Sequence, residues 1–362
     1  IRDRSPSRGL GDVYKRQVCG STFQAVACTG ISLTSRDGSY VQARTIEWAR
    51  GVLQSEYVII PRGQQLTSFT PTGVNGLTFT AKYGVVGLAV VQKEFIAEGI
   101  NEAGLSAGLF FFPHYGGYET YDAAQNQRTL ADLQVTEWLL SQFSTIDEVK
   151  AALSSVRVVG LEKTAVVHWR IGEPSGRQVV LEIVGGVPHF YENTVGVLTN
   201  APGFEWQLTN LNNYVNLHPG DASMQKLSGI TLQPTGGNSG FLGIPGDATP
   251  PSRFVRAAFY RGTAPQRATG FDTVQQCFHL LNNFDIPIGI EHSQGDIPDI
   301  PSATQWTSAI DLTNRKVYYK TAYNNSIRCI DLKAIDFSKV KYQSHPLDKI
   351  QEQPVEMVKI PR

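Results

Sequence analysis

An excess of charge of either sign is missing from this chain: Lys+Arg and Asp+Glu each number 32 among 362 residues, so no net charge remains. Without a basic tract, nothing offers the phosphate-neutralising surface that nucleic acid or an anionic membrane demands. No apolar run reaches the roughly 20 residues of a membrane span, so no stable membrane insertion is expected. Cysteine is scarce, at Cys19, Cys28, Cys277 and Cys329. The four form no Cys-x-x-Cys pair and no His/Cys spacing of the zinc type, so no metal is implied. No internal repeat, low-complexity tract or composition shift marks a linker, and residues 28–362 are expected to form one domain.

What is present suits a folded, sheet-rich core, with 41% apolar and 18% charged residues. The stretch Ala25-Val26-Ala27-Cys28 places a cysteine directly after the small-residue pattern that signal peptidases cut. Residues 1–27 therefore read as a leader to be removed, and the protein as exported to the periplasm or medium of a bacterium. Residues 1–17 lack both an initiating methionine and an apolar segment. They read as a gene-assembly artefact in front of a signal remnant, Val18 to Ala27.

Cleavage after Ala27 would change the chemistry of Cys28. An N-terminal cysteine joins a thiol to an α-amine with a pKa of about 7.7–8.0, so part of the amine is neutral at pH 7 and can accept a proton. One residue then carries both nucleophile and general base. Two plainer readings stand beside this one. Cys28 could be a small buried hydrophobe, or the acylated first residue of a lipid-anchored binding protein.

The pattern after Thr29 is one of short strands. Gly30–Thr34 and Tyr40–Arg44 flank the turn Arg36-Asp37-Gly38 and predict a hairpin that begins at Cys28. Further strands are predicted at 56–61, 77–81, 85–92, 95–100 and 105–112, several apolar throughout, as expected where both faces are covered. Helical spacing follows in Leu130, Leu133, Trp138 and Leu139, and again from Ile146 to Val156 behind the capping pattern Thr145-Ile146-Asp147-Glu148. Strands return at 165–171, 178–184, 189–192 and 195–199, then helices at 252–260 and 273–283, then strands at 306–311, 316–320 and 327–332. Grouped rather than alternating elements argue for an α+β fold. Cys277 shares a helical face with Val274, Phe278 and Leu281 and reads as core, while a Cys277–Cys329 disulfide stays open.

Four segments appear in one order: Cys28-Thr29-Gly30-Ile31, Arg44-Thr45-Ile46-Glu47-Trp48, Leu198-Thr199-Asn200-Ala201-Pro202 and Gly246-Asp247-Ala248-Thr249-Pro250-Pro251-Ser252-Arg253-Phe254. With Asn282–Pro287 and Thr304–Thr307 behind them, they resemble the choloylglycine hydrolase family of bile salt hydrolases and penicillin V acylases, which are N-terminal nucleophile hydrolases. The resemblance implies a four-layer αββα sandwich of two antiparallel sheets. It implies a catalytic set of Cys28 as nucleophile, Arg44 beside the thiol, Asn200 as oxyanion donor, Arg253 as a second cation, and the Phe110 backbone N–H as a second oxyanion donor. Glu47 stands where the family has an aspartate that holds the nucleophile's amino group.

These residue types fit the chemistry. A guanidinium stays charged and favours thiolate over thiol, and an asparagine NH₂ can stabilise an oxyanion by roughly 3 kcal/mol. Each also has a plain structural reading: Arg44 as an ion-pair partner, Arg253 on a solvated helix face with Arg256, Asn200 as a turn residue. Trp48, Phe111, Phe112 and Tyr115, together with Phe110 and Tyr118, are candidates to line an apolar substrate pocket, with core packing as the alternative. The resemblance implies cofactor-free hydrolysis of a small-molecule amide, a conjugated bile salt or, by the same chemistry, penicillin V or an N-acyl homoserine lactone. It also implies a homotetramer, with Asn210–Tyr214 as a contact.

Overall fold

In the computed structural model, residues 27–162, 166–291 and 296–361 are described. Residues 1–26, most of the expected leader and with it Cys19, lie outside them. The predicted hairpin forms, with Cys28–Thr34 antiparallel to Tyr40–Glu47 and Gly38 at the turn with φ +85°. That positive φ is one that glycine adopts without strain. The hairpin is the centre of a six-stranded sheet in the order Val197–Leu198, Cys28–Thr34, Tyr40–Glu47, Thr304–Asp311, Lys316–Thr321, Arg328–Asp331. An eight-stranded sheet runs Val187–Glu192, Gln178–Val184, Val167–Gly172, Ser106–Phe111, Ile96–Asn101, Val85–Val90, Ser55–Ile60, Gln343–Pro346. Pairing in both sheets is antiparallel.

The sheets face each other, tied by side-chain bonds such as Gln42 Nε2 to Gln178 Oε1 at 3.1 Å. Helices Pro250–Thr263 and Gly270–Leu281 cover the outer face of the six-stranded sheet, and Val135–Gln142 covers that of the eight-stranded one. This is the four-layer αββα sandwich, and its two-sided cover explains why Tyr40–Glu47 and Ser106–Phe111 are buried along their whole length. One hydrophobic cluster runs through both sheets and their helices, from Ile31 and Ala43 through Phe110 and Val180 to Val274. Capping boxes at Thr145/Glu148 and Thr269/Asp272 fix two helix starts, satisfying orphan N–H groups that the sequence already offered to cap. Cys28, Cys277 and Cys329 are free thiols, and Cys277 is buried core.

The structure corrects several boundaries. The helix expected from Leu130 begins only at Val135, because Thr129–Ala131 pairs in parallel with Arg157–Val159 and Ala131 N–H is taken by Ser68 Oγ at 2.8 Å. Tertiary pairing overrides the helical spacing there. The helix Phe204–Asn210, the hairpin Gln225–Leu227/Ile230–Leu232 and the strand Gln343–Pro346 were not foreseen. The last of these has a proline at its end and an unremarkable pattern, and it exists as an edge strand against Ser55–Ile60.

Candidate active site

Cys28 opens the first strand and sits opposite Ile46, so its sulfur lies at one end of the sheet–sheet interface, only 1% exposed. Two residues along that strand, Gly30 pairs with Arg44 on the neighbouring one. The glycine is a requirement of space: a Cβ there would stand 2.8 Å from Phe110 Cζ and 2.9 Å from Arg170 Nη1. The Arg44 guanidinium lies 4.2 Å above the Phe110 ring centroid and donates Nη2 to Cys28 Sγ at 2.7 Å. Its other nitrogens are occupied: Nη1 reaches the Ala97 and Leu109 carbonyls at 3.1 and 2.5 Å, and Nε the Thr45 carbonyl at 3.2 Å. A guanidinium so held is a fixed positive charge at the sulfur.

Asn200 follows the short strand Val197–Leu198 and precedes a cis Ala201–Pro202 bond. Its Oδ1 accepts from the Cys28 nitrogen at 3.0 Å and from Arg253 Nη2 at 2.7 Å. Two donors on that oxygen fix the amide orientation. Nδ2 therefore points the other way and donates one hydrogen to the Phe111 carbonyl at 2.8 Å, leaving its second hydrogen beside the site. Arg253 comes from the first turn of Pro250–Thr263 and is fully buried, its Nη1 bonding the Cys28 carbonyl at 2.5 Å and Thr29 Oγ1 at 2.9 Å. Arg253 is thus a site cation and not part of a solvated face. Arg44, Asn200 and Arg253 converge on Cys28 from three distant stretches of the chain.

Two expected contacts take another form before Cys28 is freed. The backbone N–H that reaches the Cys28 sulfur belongs to Phe111, not Phe110. The strand alternates, so Phe110 turns its ring between the sheets, while Phe111, paired with Val167 in the neighbouring strand, presents its N–H to the sulfur. With Ala27 still attached, the Cys28 nitrogen is held by Asn200 and not by Glu47. That nitrogen is here the Ala27–Cys28 amide, and its single hydrogen is aimed at Asn200. Glu47 instead accepts from Thr304 Oγ1 at 3.2 Å, while its Oε2 is buried without a hydrogen-bond partner among the described residues. Burial pushes its carboxyl up to about 8, against the opposing pull of Arg253. Burial also raises the Cys28 thiol above its usual range, Arg44 pulling it down and Glu47 adding to the rise, while Phe111 N–H and Arg253 pull down as well. The net direction favours the thiol over the thiolate.

The aromatic candidates divide. Phe112 is buried and stacked on His168, rings 4.3 Å apart and 6° from parallel, and Tyr118 Oη bonds both N and O of Val167, so these two are structural. Phe111 is buried at 8% exposure, and Tyr115 is half exposed with its ring 6.1 Å from that of Phe112. Trp48 is partly buried beneath the Arg50 guanidinium, 5.6 Å away. The sequence reading missed His168 and Glu182, whose buried pair at 3.1 Å also holds the Thr199 carbonyl next to Asn200. It missed Glu98 and Arg170 behind Arg44 as well. The one available signal was a charged residue inside each otherwise apolar strand. Among the described residues, no group of three or more His, Cys, Asp or Glu is arranged to hold a metal.

Comparison with known proteins places the chain among hydrolases of linear amides. The sequence profile of the linear amide C–N hydrolases, choloylglycine hydrolase family, matches residues 28–345. A bile salt hydrolase/transferase of Clostridium perfringens is 31% identical over 312 residues, covering 84% of this chain and 92% of that protein. A penicillin V acylase of Pectobacterium atrosepticum is 28% identical over 344 residues, covering 87% and 83%. The crystal structure of a mutant conjugated bile acid hydrolase from Clostridium perfringens superposes with a TM-score of 0.78 at 28% identity, covering 92% of this chain and 100% of that one. A penicillin V acylase from Agrobacterium tumefaciens shares the fold, with a TM-score of 0.71 at 24% identity over 89% and 91% of the two chains. The reading as a non-enzymatic binding protein gives way to that of a hydrolase acting on linear amides. The chain belongs to the choloylglycine hydrolase family.

Proposed function

We propose that the protein hydrolyses the amide bond of glycine- or taurine-conjugated bile salts, with Cys28 as an N-terminal nucleophile once the residues before it are removed. The observation that carries this reading is the convergence on Cys28 of Arg44 Nη2 and the Phe111 N–H at its sulfur and of Asn200 Oδ1 at its nitrogen. The freed α-amine, held at Asn200 Oδ1 as the amide nitrogen is now, takes the thiol proton. The thiolate forms a bond to the substrate carbonyl carbon, and the carbonyl π pair moves to oxygen. Asn200 Nδ2, one of its hydrogens already oriented by the Phe111 carbonyl, and the Phe111 N–H stabilise that oxyanion. The Cys28 ammonium passes its proton to the leaving nitrogen as the C–N bond breaks. Water, giving a proton to the amine, then cleaves the thioester and restores the thiol. The cycle calls on no cofactor.

Similarity to the bile salt hydrolase/transferase of Clostridium perfringens favours the bile salt substrate. A second reading, penicillin V or an N-acyl homoserine lactone as substrate, is favoured by the penicillin V acylase relative and by the phenylalanine run around Phe110. Side-by-side assay of glycocholate, taurocholate and penicillin V, with Cys28→Ser as control, tests both. Full turnover by Cys28→Ser would end the mechanism, and turnover of penicillin V alone would select the second reading. We also propose export after leader removal and assembly as a homotetramer. Support for association comes from exposed apolar side chains on one hairpin, Met224, Leu227, Ile230 and Leu232. Intact mass of the secreted protein and its mass in solution check these two.

A further inference from the structure

A charged cluster lies between the sheets, behind Arg44. Glu98, on Ile96–Asn101, is 1% exposed and sits between two arginines: Oε1 accepts from Arg170 Nη2 at 3.0 Å, and Oε2 stands 3.7 Å from Arg44 Nη1. The arginines cross in opposite directions. Arg44 is rooted in the six-stranded sheet and donates to the Ala97 and Leu109 carbonyls of the eight-stranded one. Arg170 is rooted in the eight-stranded sheet and donates Nη1 to the Ile31 and Ala43 carbonyls of the other, both at 3.1 Å. The Phe110 ring lies against both guanidiniums, at 4.2 and 5.5 Å. Two glycines make the room: Gly30, and Gly108, which is paired with Glu98 and whose Cβ would collide with the carboxylate.

Buried cations this close repel unless a counter-charge is shared between them. Two guanidiniums and one carboxylate leave a surplus positive charge, and the donor that carries it outward is Arg44 Nη2, at the sulfur. We propose that Glu98 is a positioning residue for the hydrolytic reaction: by neutralising Arg170, it keeps that cation from driving Arg44 off Cys28. This rests on the reading of Cys28 as nucleophile. The charged groups facing Cys28 are Arg44, Arg253 and Glu47, and those facing Glu98 are Arg44 and Arg170. Loss of the Glu98 charge therefore acts on the sulfur through Arg44. The direction is set by position: a displaced Arg44 leaves the thiolate less stabilised, although a negative charge has been removed nearby.

The test is the pH dependence of Cys28 alkylation by iodoacetamide, followed on the Cys28 peptide by mass spectrometry because Cys329 also reacts. Parent, Glu98→Gln and Glu98→Gln/Arg170→Gln proteins, each freed of the residues before Cys28, are compared, with turnover measured alongside. In Glu98→Gln the alkylation rate at pH 7 falls roughly tenfold and the profile moves to higher pH. kcat falls with it, and KM stays within about twofold. Removing Arg170 as well relieves the repulsion and restores most of both. An unmoved profile in Glu98→Gln, a profile moved to lower pH, or a double variant no better than the single one overturns the proposal. If Glu98→Gln does not fold, the double variant decides alone: a parent-like profile supports the proposal, and a depressed one overturns it. Failure of the nucleophile reading looks different, since turnover would then survive in Cys28→Ser whatever the Glu98 variants do.

Discussion

Arg44 Nη2 stands 2.7 Å from Cys28 Sγ, and the same guanidinium is pinned by three backbone carbonyls. Charge and geometry are thus supplied by one side chain. Arg44→Lys keeps the charge but cannot make these bonds at once. It is expected to lower kcat/KM by ~10²-fold and to move the acid limb of the pH–rate profile to higher pH, because the guanidinium is the leading influence that lowers the thiol against burial. A pH–rate profile of the variant checks this.

Asn200 joins the Cys28 nitrogen, Arg253 and the Phe111 carbonyl. Asn200→Ala is expected to lower kcat by ~10²–10³-fold with a smaller change in KM, the cost of one oxyanion donor. It should also lower Tm, since two buried donors lose their acceptor. Steady-state kinetics and a thermal melt measure the two effects separately.

How much of this was legible beforehand follows from what kind of signal each residue sends. Cys28, Arg44, Asn200 and Arg253 sit in ordered local motifs, and the structure brings all four together. The hairpin from Cys28 and both capping boxes were visible as turn and cap chemistry. That the Phe111 N–H meets the sulfur was not, because which backbone N–H faces Cys28 depends on how the two sheets are laid over each other, a property of the sheets and not of the segment. Glu98 was hidden for a similar reason: one carboxylate in an apolar strand gives no sign of two arginines that arrive from residues 44 and 170. The strand Thr129–Ala131 hid behind helical spacing because its partner lies at 157–159.

Burial pushes the Glu137 carboxyl up to about 8, against the hydrogen bond from Gln134. The folded state then holds a proton that the unfolded chain releases above its own pKa of about 4.3. The stability this group contributes is therefore full below that value and is lost as pH rises toward 8. Glu47, pushed to about 8, and Asp132, pushed to about 7, act with the same sign. Glu137→Gln is expected to raise Tm at pH 8 by a few degrees more than at pH 4.5. Melting curves across that range test it, and an equal change at both ends would refute the assignment.

Gly30 leaves room for the Phe110 ring and the Arg170 guanidinium, each within 3 Å of where its Cβ would be. Gly30→Ala is expected to cost about 1–3 kcal/mol by overpacking. Denaturant unfolding gives the number.

The bond from Arg253 to the Cys28 carbonyl closes a separation of 225 residues, and that from Cys28 to Asn200 one of 172. Such long loops must be ordered before their contacts repay the entropy, which places this molecule among slow-folding, high-contact-order architectures. Catalytic competence is then a property of the closed chain as a whole. On the mechanism proposed above, a nascent polypeptide still short of Arg253 carries Cys28 without the cation that holds its carbonyl and Asn200 Oδ1, and is expected to be inactive.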